Sequence, residues 1–195
     1  MDVREALESI ALIRRRIREP EIGQVYRALP ATICSLLALL GGLLQALFVP
    51  DPLENLVAYV SIWSAMAFIG LSFTAGSVTS RDGLKSALAA LTPFAPCLIA
   101  GVGLTYAMLR YHPQSATMLP GLWQILFALG VYQACRFLPR DALGVAGFYL
   151  FSGLTLLTTG IGDLSPWTMV LPFAFGQLLA AIVLAERRGH HHESI

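Results

Sequence analysis

Residues 31–49 read ATICSLLALLGGLLQALFV, with no Asp, Glu, Lys, Arg or His. A helix rises about 1.5 Å per residue, so a run of this length crosses a hydrocarbon core of roughly 30 Å. Backbone amides find no water there and must bond to one another, which makes the run a helix. Five more runs of the same kind follow, at Leu56–Phe73, Ser86–Leu109, Met118–Cys135, Ala142–Thr159 and Trp167–Ala185. All six are 18 to 24 residues long and lack those five residue types. One such run could be the buried helix of a soluble core, but six of them in 195 residues could not.

Composition agrees. Hydrophobic residues make up 56% of the chain and charged residues 13%, about half the ~25% of an ordinary soluble domain. The mean hydropathy is +0.67. Too few charged groups are present to cover a water-solvated exterior. This excludes a soluble enzyme, a nucleic-acid-binding domain and a secreted disulfide scaffold. The fold class expected is all-α: a polytopic bundle of six transmembrane helices.

Orientation follows from the connections. Arg4, Arg14, Arg15, Arg16, Arg18 and Arg27 precede the first run, and Arg81, Lys85, Arg136, Arg140, Arg187 and Arg188 fall in alternate loops and the tail. The other three connections hold Arg110 alone, beside Asp51, Glu54 and Asp163. Twelve basic residues against one place both termini in the cytoplasm. Tyr111, Trp123 and Trp167 lie at expected outer boundaries and Tyr26 near the inner one, as amphipathic rings do.

Three regions are therefore expected. Residues 1–30 form a cytoplasmic amphipathic helix and connector, residues 31–185 the six-helix membrane domain, and residues 186–195 a cytoplasmic tail. In the first region Val3, Ala6, Leu7, Ile10, Ile13 and Ile17 recur at helical spacing, with Glu5, Glu8, Arg14, Arg15 and Arg18 on other faces. Asp2 and Glu5 have the spacing of a capping box, and Pro20 stops the helix. A basic amphipathic helix beside a span suits the anionic inner leaflet. The same stripe could dock a membrane or cytoplasmic protein partner.

The spans offer little chemistry. Cys34, Cys97 and Cys135 are dispersed and read as small buried hydrophobes. His112 is the only histidine near a membrane boundary, so no heme is expected between the helices. The His190–His192 run reads as a tail or an engineered remnant rather than a metal site. No Asp, Glu, Lys or Arg lies within a span, which leaves no proton relay, voltage sensor or protease dyad. The expectation is a protein that is not an enzyme and carries no cofactor, metal or nucleic acid.

What the spans do hold is neutral polarity: Gln45, Gln124, Gln133 and Gln177, with Ser61, Ser64, Ser152, Thr155, Thr158 and Thr159. Glutamines in lipid must find partners, so these four either tie helices together or line a cavity for a neutral ligand. Gly42 with Ala46, and Gly176 with Ala180, have the small-residue spacing of close helix packing. Pro93, Pro96 and Pro172 are candidate helix breaks, each freeing a backbone carbonyl.

The halves of the chain echo one another. Leu29-Pro30, Ala38-Leu39, Gln45-Ala46 and Trp63-Ser64-Ala65 recur, at offsets of 88 to 90, as Leu119-Pro120, Ala128-Leu129, Gln133-Ala134 and Phe151-Ser152-Gly153. Pro93-Phe94-Ala95 recurs as Pro172-Phe173-Ala174 at an offset of 79. Three spans per half would make this a 3+3 inverted repeat, a framework common in transporters.

The stretches Pro120-Gly121-Leu122-Trp123-Gln124, Leu164-Ser165-Pro166-Trp167, Leu171-Pro172-Phe173 and Gly176-Gln177-Leu178-Leu179 resemble a group of bacterial six-span integral membrane proteins. That resemblance implies a bacterial inner membrane and carries no established activity. The role expected is accessory, scaffolding or regulatory, with the bilayer as its constant partner. The alternative is a small transporter or channel for a neutral or amphiphilic solute.

Overall fold

A computed structural model describes residues 28–76, 91–135, 138, 141–160 and 164–192, with side chains as far as 185. The described residues form six α-helices: α1 (Ala28–Phe48), α2 (Leu56–Gly76), α3 (Ala95–Tyr111), α4 (Leu119–Ala134), α5 (Ala142–Thr159) and α6 (Pro166–His192). A 3-10 turn, Pro113–Met118, leads from α3 into α4. Five helical stretches are long and apolar enough to cross a membrane: Ala28–Phe48, Leu56–Gly76, Pro113–Ala134, Ala142–Thr159 and Pro166–Ala185. The chain is a multi-pass membrane protein. The expected N-terminal helix, the basic residues Arg81, Lys85, Arg136 and Arg140, and Asp163 lie outside the described residues.

The third apolar run is interrupted over its described part. The regular α-helix gives way to turns at Thr92–Phe94 and restarts at Ala95. Pro93 and Pro96 account for the break, since neither can donate to the carbonyl one turn back. Ala95 N–H bonds Thr92 O at 3.3 Å, closing a turn in place of the lost helical rung. The last helix, α6, continues past Ala185 as far as His192.

α1 lies along α6 and α4 along α5, the two most extensive pairings. α2 packs on α1, α3 on α4, and α5 joins the pairs by packing on α6. Small residues permit the close approaches. A Cβ added to Gly121 would lie 2.9 Å from Gly153 O, and one added to Gly153 would lie 2.7 Å from Gly121 O, so α4 and α5 cross backbone to backbone. Gly42 of α1 receives the side chain of Val170 of α6, and Gly176 of α6 receives the ring of Tyr149 of α5. In lipid, where hydrophobic attraction between helices is absent, such approaches supply dispersion contact. Gly160 ends α5 at φ 62°, a left-handed backbone that favours glycine.

The first, third and fifth connections gather at one end of the bundle. Gln45, near the end of α1, bonds Leu164 just before α6. Tyr59, near the start of α2, stacks on Trp123, near the start of α4, with centroids 6.2 Å apart. This is the Asp51 end. A buried cluster of Val49, Tyr59, Trp63, Leu164, Met169 and Val170 fills it. A second cluster, built on Ala128, Val131, Val145, Ala146 and Tyr149, has Phe94, Phe127 and Phe173 packed against it. Outside these clusters the surface is apolar: Leu36, Leu43 and Phe48 of α1, Phe68 of α2, Ile99 and Val102 of α3 and Phe151 of α5 are all exposed. A bilayer covers such a surface; water would not tolerate it.

Candidate functional site

The site builds from α6 outward. Pro172 sits inside α6 and has no N–H, so the rung that would close on Thr168 O is missing. The start of the helix leaves a second carbonyl short. Thr168 N–H bonds Ser165 O at 3.1 Å, and its hydroxyl donates to the same oxygen at 2.7 Å, so neither reaches Leu164 O. In water these carbonyls would be solvated, but here they face other helices and need donors from them.

Two glutamines supply the donors. Gln45 of α1 donates its amide to Leu164 O at 2.5 Å. Gln124 of α4 donates to Thr168 O at 2.9 Å. Both are fully buried, at 0% exposure. Each amide oxygen is occupied as well, and each time by the helix that follows in the chain. Trp63 Nε1 of α2 donates to Gln45 Oε1 at 2.9 Å, and Ser152 Oγ of α5 donates to Gln124 Oε1 at 2.6 Å. The result is two parallel ties, α2–α1–α6 and α5–α4–α6, converging on the Asp51 end of α6.

Weaker ties lie further along the helix. Ser35 of α1 donates to Ala174 O at 2.9 Å, and the Tyr149 hydroxyl donates to Phe173 O at 3.5 Å. α3 is held separately: Trp123 Nε1 of α4 donates to Thr105 Oγ1 at 2.9 Å, and that hydroxyl donates to Gly101 O at 2.7 Å. Trp123 therefore points its polar edge into the bundle, whereas Tyr111 and Trp167 are exposed near the Asp51 end. The serines and threonines outside the network mostly return their hydroxyls to their own helix, as Ser61 does to Val57 O and Thr155 to Phe151 O. Such bonds satisfy the hydroxyl without joining helices.

Of the four glutamines singled out in the sequence, the structure brings Gln45 and Gln124 together on α6. Gln177 is half-buried. Gln133 is exposed and lines an open pocket of about 390 Å³ with Tyr132, Cys135 and Leu143. Pro93 is buried at the break before α3, Pro96 is exposed, and Pro172 is half-buried. The sequence reading did not identify Trp63, Thr168 or Tyr59 as members of a site. Thr168 was within reach, since it stands one helical turn before Pro172. Tyr59 carried no such signal: its hydroxyl is buried and has no hydrogen-bond partner among the described residues.

Chemically, the network consists of neutral amide, hydroxyl, indole and carbonyl groups bonded to one another. It can hold helices in register but contains no charged group to move a proton. Among the described residues no three His, Cys, Asp or Glu side chains are grouped to hold a metal ion. The chain matches no protein-family model, no curated protein and no solved structure.

Proposed function

We propose that the protein is a non-catalytic accessory or scaffolding component of a bacterial cytoplasmic membrane. The observation that carries this reading is the state of Gln45 and Gln124. Both are wholly buried and have both ends of the amide bonded within the chain. A residue that recognises a passing solute must present its amide to an open path; these two are at 0% exposure and turn both ends of the amide toward protein groups. The strongest neutral polar groups of the spans are thus spent on internal ties, and a transported solute would have to be recognised by other groups.

The proposal includes six crossings, with the segment before α3 completing the third, and a cytoplasmic interfacial helix over about residues 2–19 whose basic stripe meets anionic lipid or a protein partner. The twelve-to-one charge distribution supports cytoplasmic termini. A 3+3 inverted relation between the halves draws support from the pairings: α1 with α2 and α6 corresponds to α4 with α5 and α3. Gln45 and Gln133, matched by the offset of 88, differ in burial, so the relation concerns the course of the helices and not their polar positions.

Extraction in mild detergent at native expression level, followed by mass determination of the intact assembly, tests the functional reading. A stoichiometric protein partner is expected. A lone chain whose melting temperature rises with an added neutral or amphiphilic solute would replace this reading with transport.

A further inference from the structure

We propose that the Asp51-end segment of α6, Pro166–Leu171, is a hinged element that pivots at Pro172, latched by Gln124 and Gln45 and received in its second position by the Tyr59 hydroxyl. Three observations converge on this segment. The rung that would stiffen it, from residue 172 to Thr168 O, cannot form at a proline. Its two short-handed carbonyls, Leu164 O and Thr168 O, are held by side chains of other helices, so a pivot there breaks side-chain bonds and spares the remaining backbone ladder. And the one buried side-chain polar atom without a hydrogen-bond partner among the described residues, Tyr59 Oη, belongs to the same buried cluster as Leu164, Met169 and Val170.

A buried hydroxyl left unbonded is costly and calls for an explanation. Tyr59 is fully buried, and its ring is fixed by stacking on Trp123 at 6.2 Å with planes 7° apart. A donor held in the same buried cluster as Leu164, Met169 and Val170 can donate to a carbonyl of the segment when the latch opens. In the latched state the glutamines hold the carbonyls and Tyr59 is unbonded. In the open state Tyr59 donates to a carbonyl of the displaced segment, which offsets part of the loss of the glutamine bonds. The exchange moves no charge and no covalent bond. Because Gln45 and Gln124 tie α1 and α4 to the segment and the carbonyl before it, its position sets how tightly α1, α4 and α6 close there.

The three tryptophans of the chain report on this directly: Trp63 bonds the Gln45 latch, Trp123 carries Tyr59, and Trp167 rides on the segment itself. Fluorine NMR of the full chain labelled with 5-fluorotryptophan, in detergent micelles, is expected to show all three resonances exchanging between a major and a minor state. Gln124→Leu should raise the minor population of all three together. Tyr59→Phe should lower it about fivefold, the worth of one net hydrogen bond, and Pro172→Ala, which restores the missing rung, should abolish it. Three resonances without exchange in the unmodified chain would overturn the proposal, as would a minor state untouched by both Tyr59→Phe and Pro172→Ala. The last two substitutions keep the test decisive if Gln124→Leu does not fold.

Discussion

At the scale of single residues, the molecule turns on a defect and its repair. Pro172 deletes a backbone donor, and Gln124 supplies one from the neighbouring helix. Hydrogen bonds between membrane helices average only about 0.6 kcal/mol, because the separated helices find other partners. Thr168 O lacks the helical partner that Pro172 would have supplied, so its bond should exceed that average. Gln124→Leu is expected to destabilise the protein by about 1–2 kcal/mol, read as unfolding by steric trapping in bicelles. In a Pro172→Ala background the same substitution should cost clearly less, because residue 172 then bonds Thr168 O itself. Strict additivity of the two changes would show that the amide and the proline are unconnected. Gly160 offers a second, purely conformational test. It has φ 62° and open space around its missing Cβ, so Gly160→Ala should cost about 1 kcal/mol through backbone strain alone. A melting temperature that does not fall would contradict that reading.

At the scale of elements, the helices were legible in the sequence and their contacts were not. Uncharged runs located α1, α2, α4, α5 and α6 closely, because a bilayer imposes length and composition on whatever crosses it. The same rule concealed the break at Thr92–Phe94: hydropathy does not register a missing N–H, and only Pro93 and Pro96 signalled it. Which face of each helix is buried was illegible, since a helix apolar on all sides has no stripe to point inward. Gln45 and Gln133 therefore looked equivalent in the sequence, although one is buried and the other exposed. Glycine spacing was equally silent on partners. The backbone-to-backbone crossing of α4 and α5 joins Gly121 and Gly153, and neither belonged to the Gly42–Ala46 or Gly176–Ala180 pairs that the spacing suggested. Gly153→Val should separate α4 from α5 and lower the yield of folded protein, whereas Gly144→Ala, which meets open space, should leave it unchanged. Equal yields of the two variants in fluorescence-detected size exclusion would contradict the crossing.

At the scale of the whole molecule, α6 is the post to which the others are tied. α1, α4 and α5 bond it directly, α2 reaches it through Gln45, and Ser152 of α5 also orients Gln124. α3 is attached only through α4 among the extensive pairings, with Thr105 as its single buried residue, and is the helix whose apolar surface lies most open to lipid. The charge asymmetry predicts that a thiol at Ser115→Cys, in the turn before α4, is labelled by an impermeant reagent from outside intact cells. A thiol at Ser80→Cys should be labelled only after the membrane is breached. The reverse pattern would invert the topology.

The central claim is that the neutral polar groups of this bundle hold helices together rather than wait for a solute, and thermal unfolding of four single variants in mild detergent tests it most directly. Gln45→Leu and Gln124→Leu should each lower the melting temperature by several degrees, given about 2–4 °C per kcal/mol for a chain of this size. Gln177→Leu should lower it less, and Gln133→Leu should leave it unchanged. If Gln45→Leu and Gln124→Leu melt with the unmodified protein, or if Gln133→Leu falls furthest, the glutamines are not the ties described.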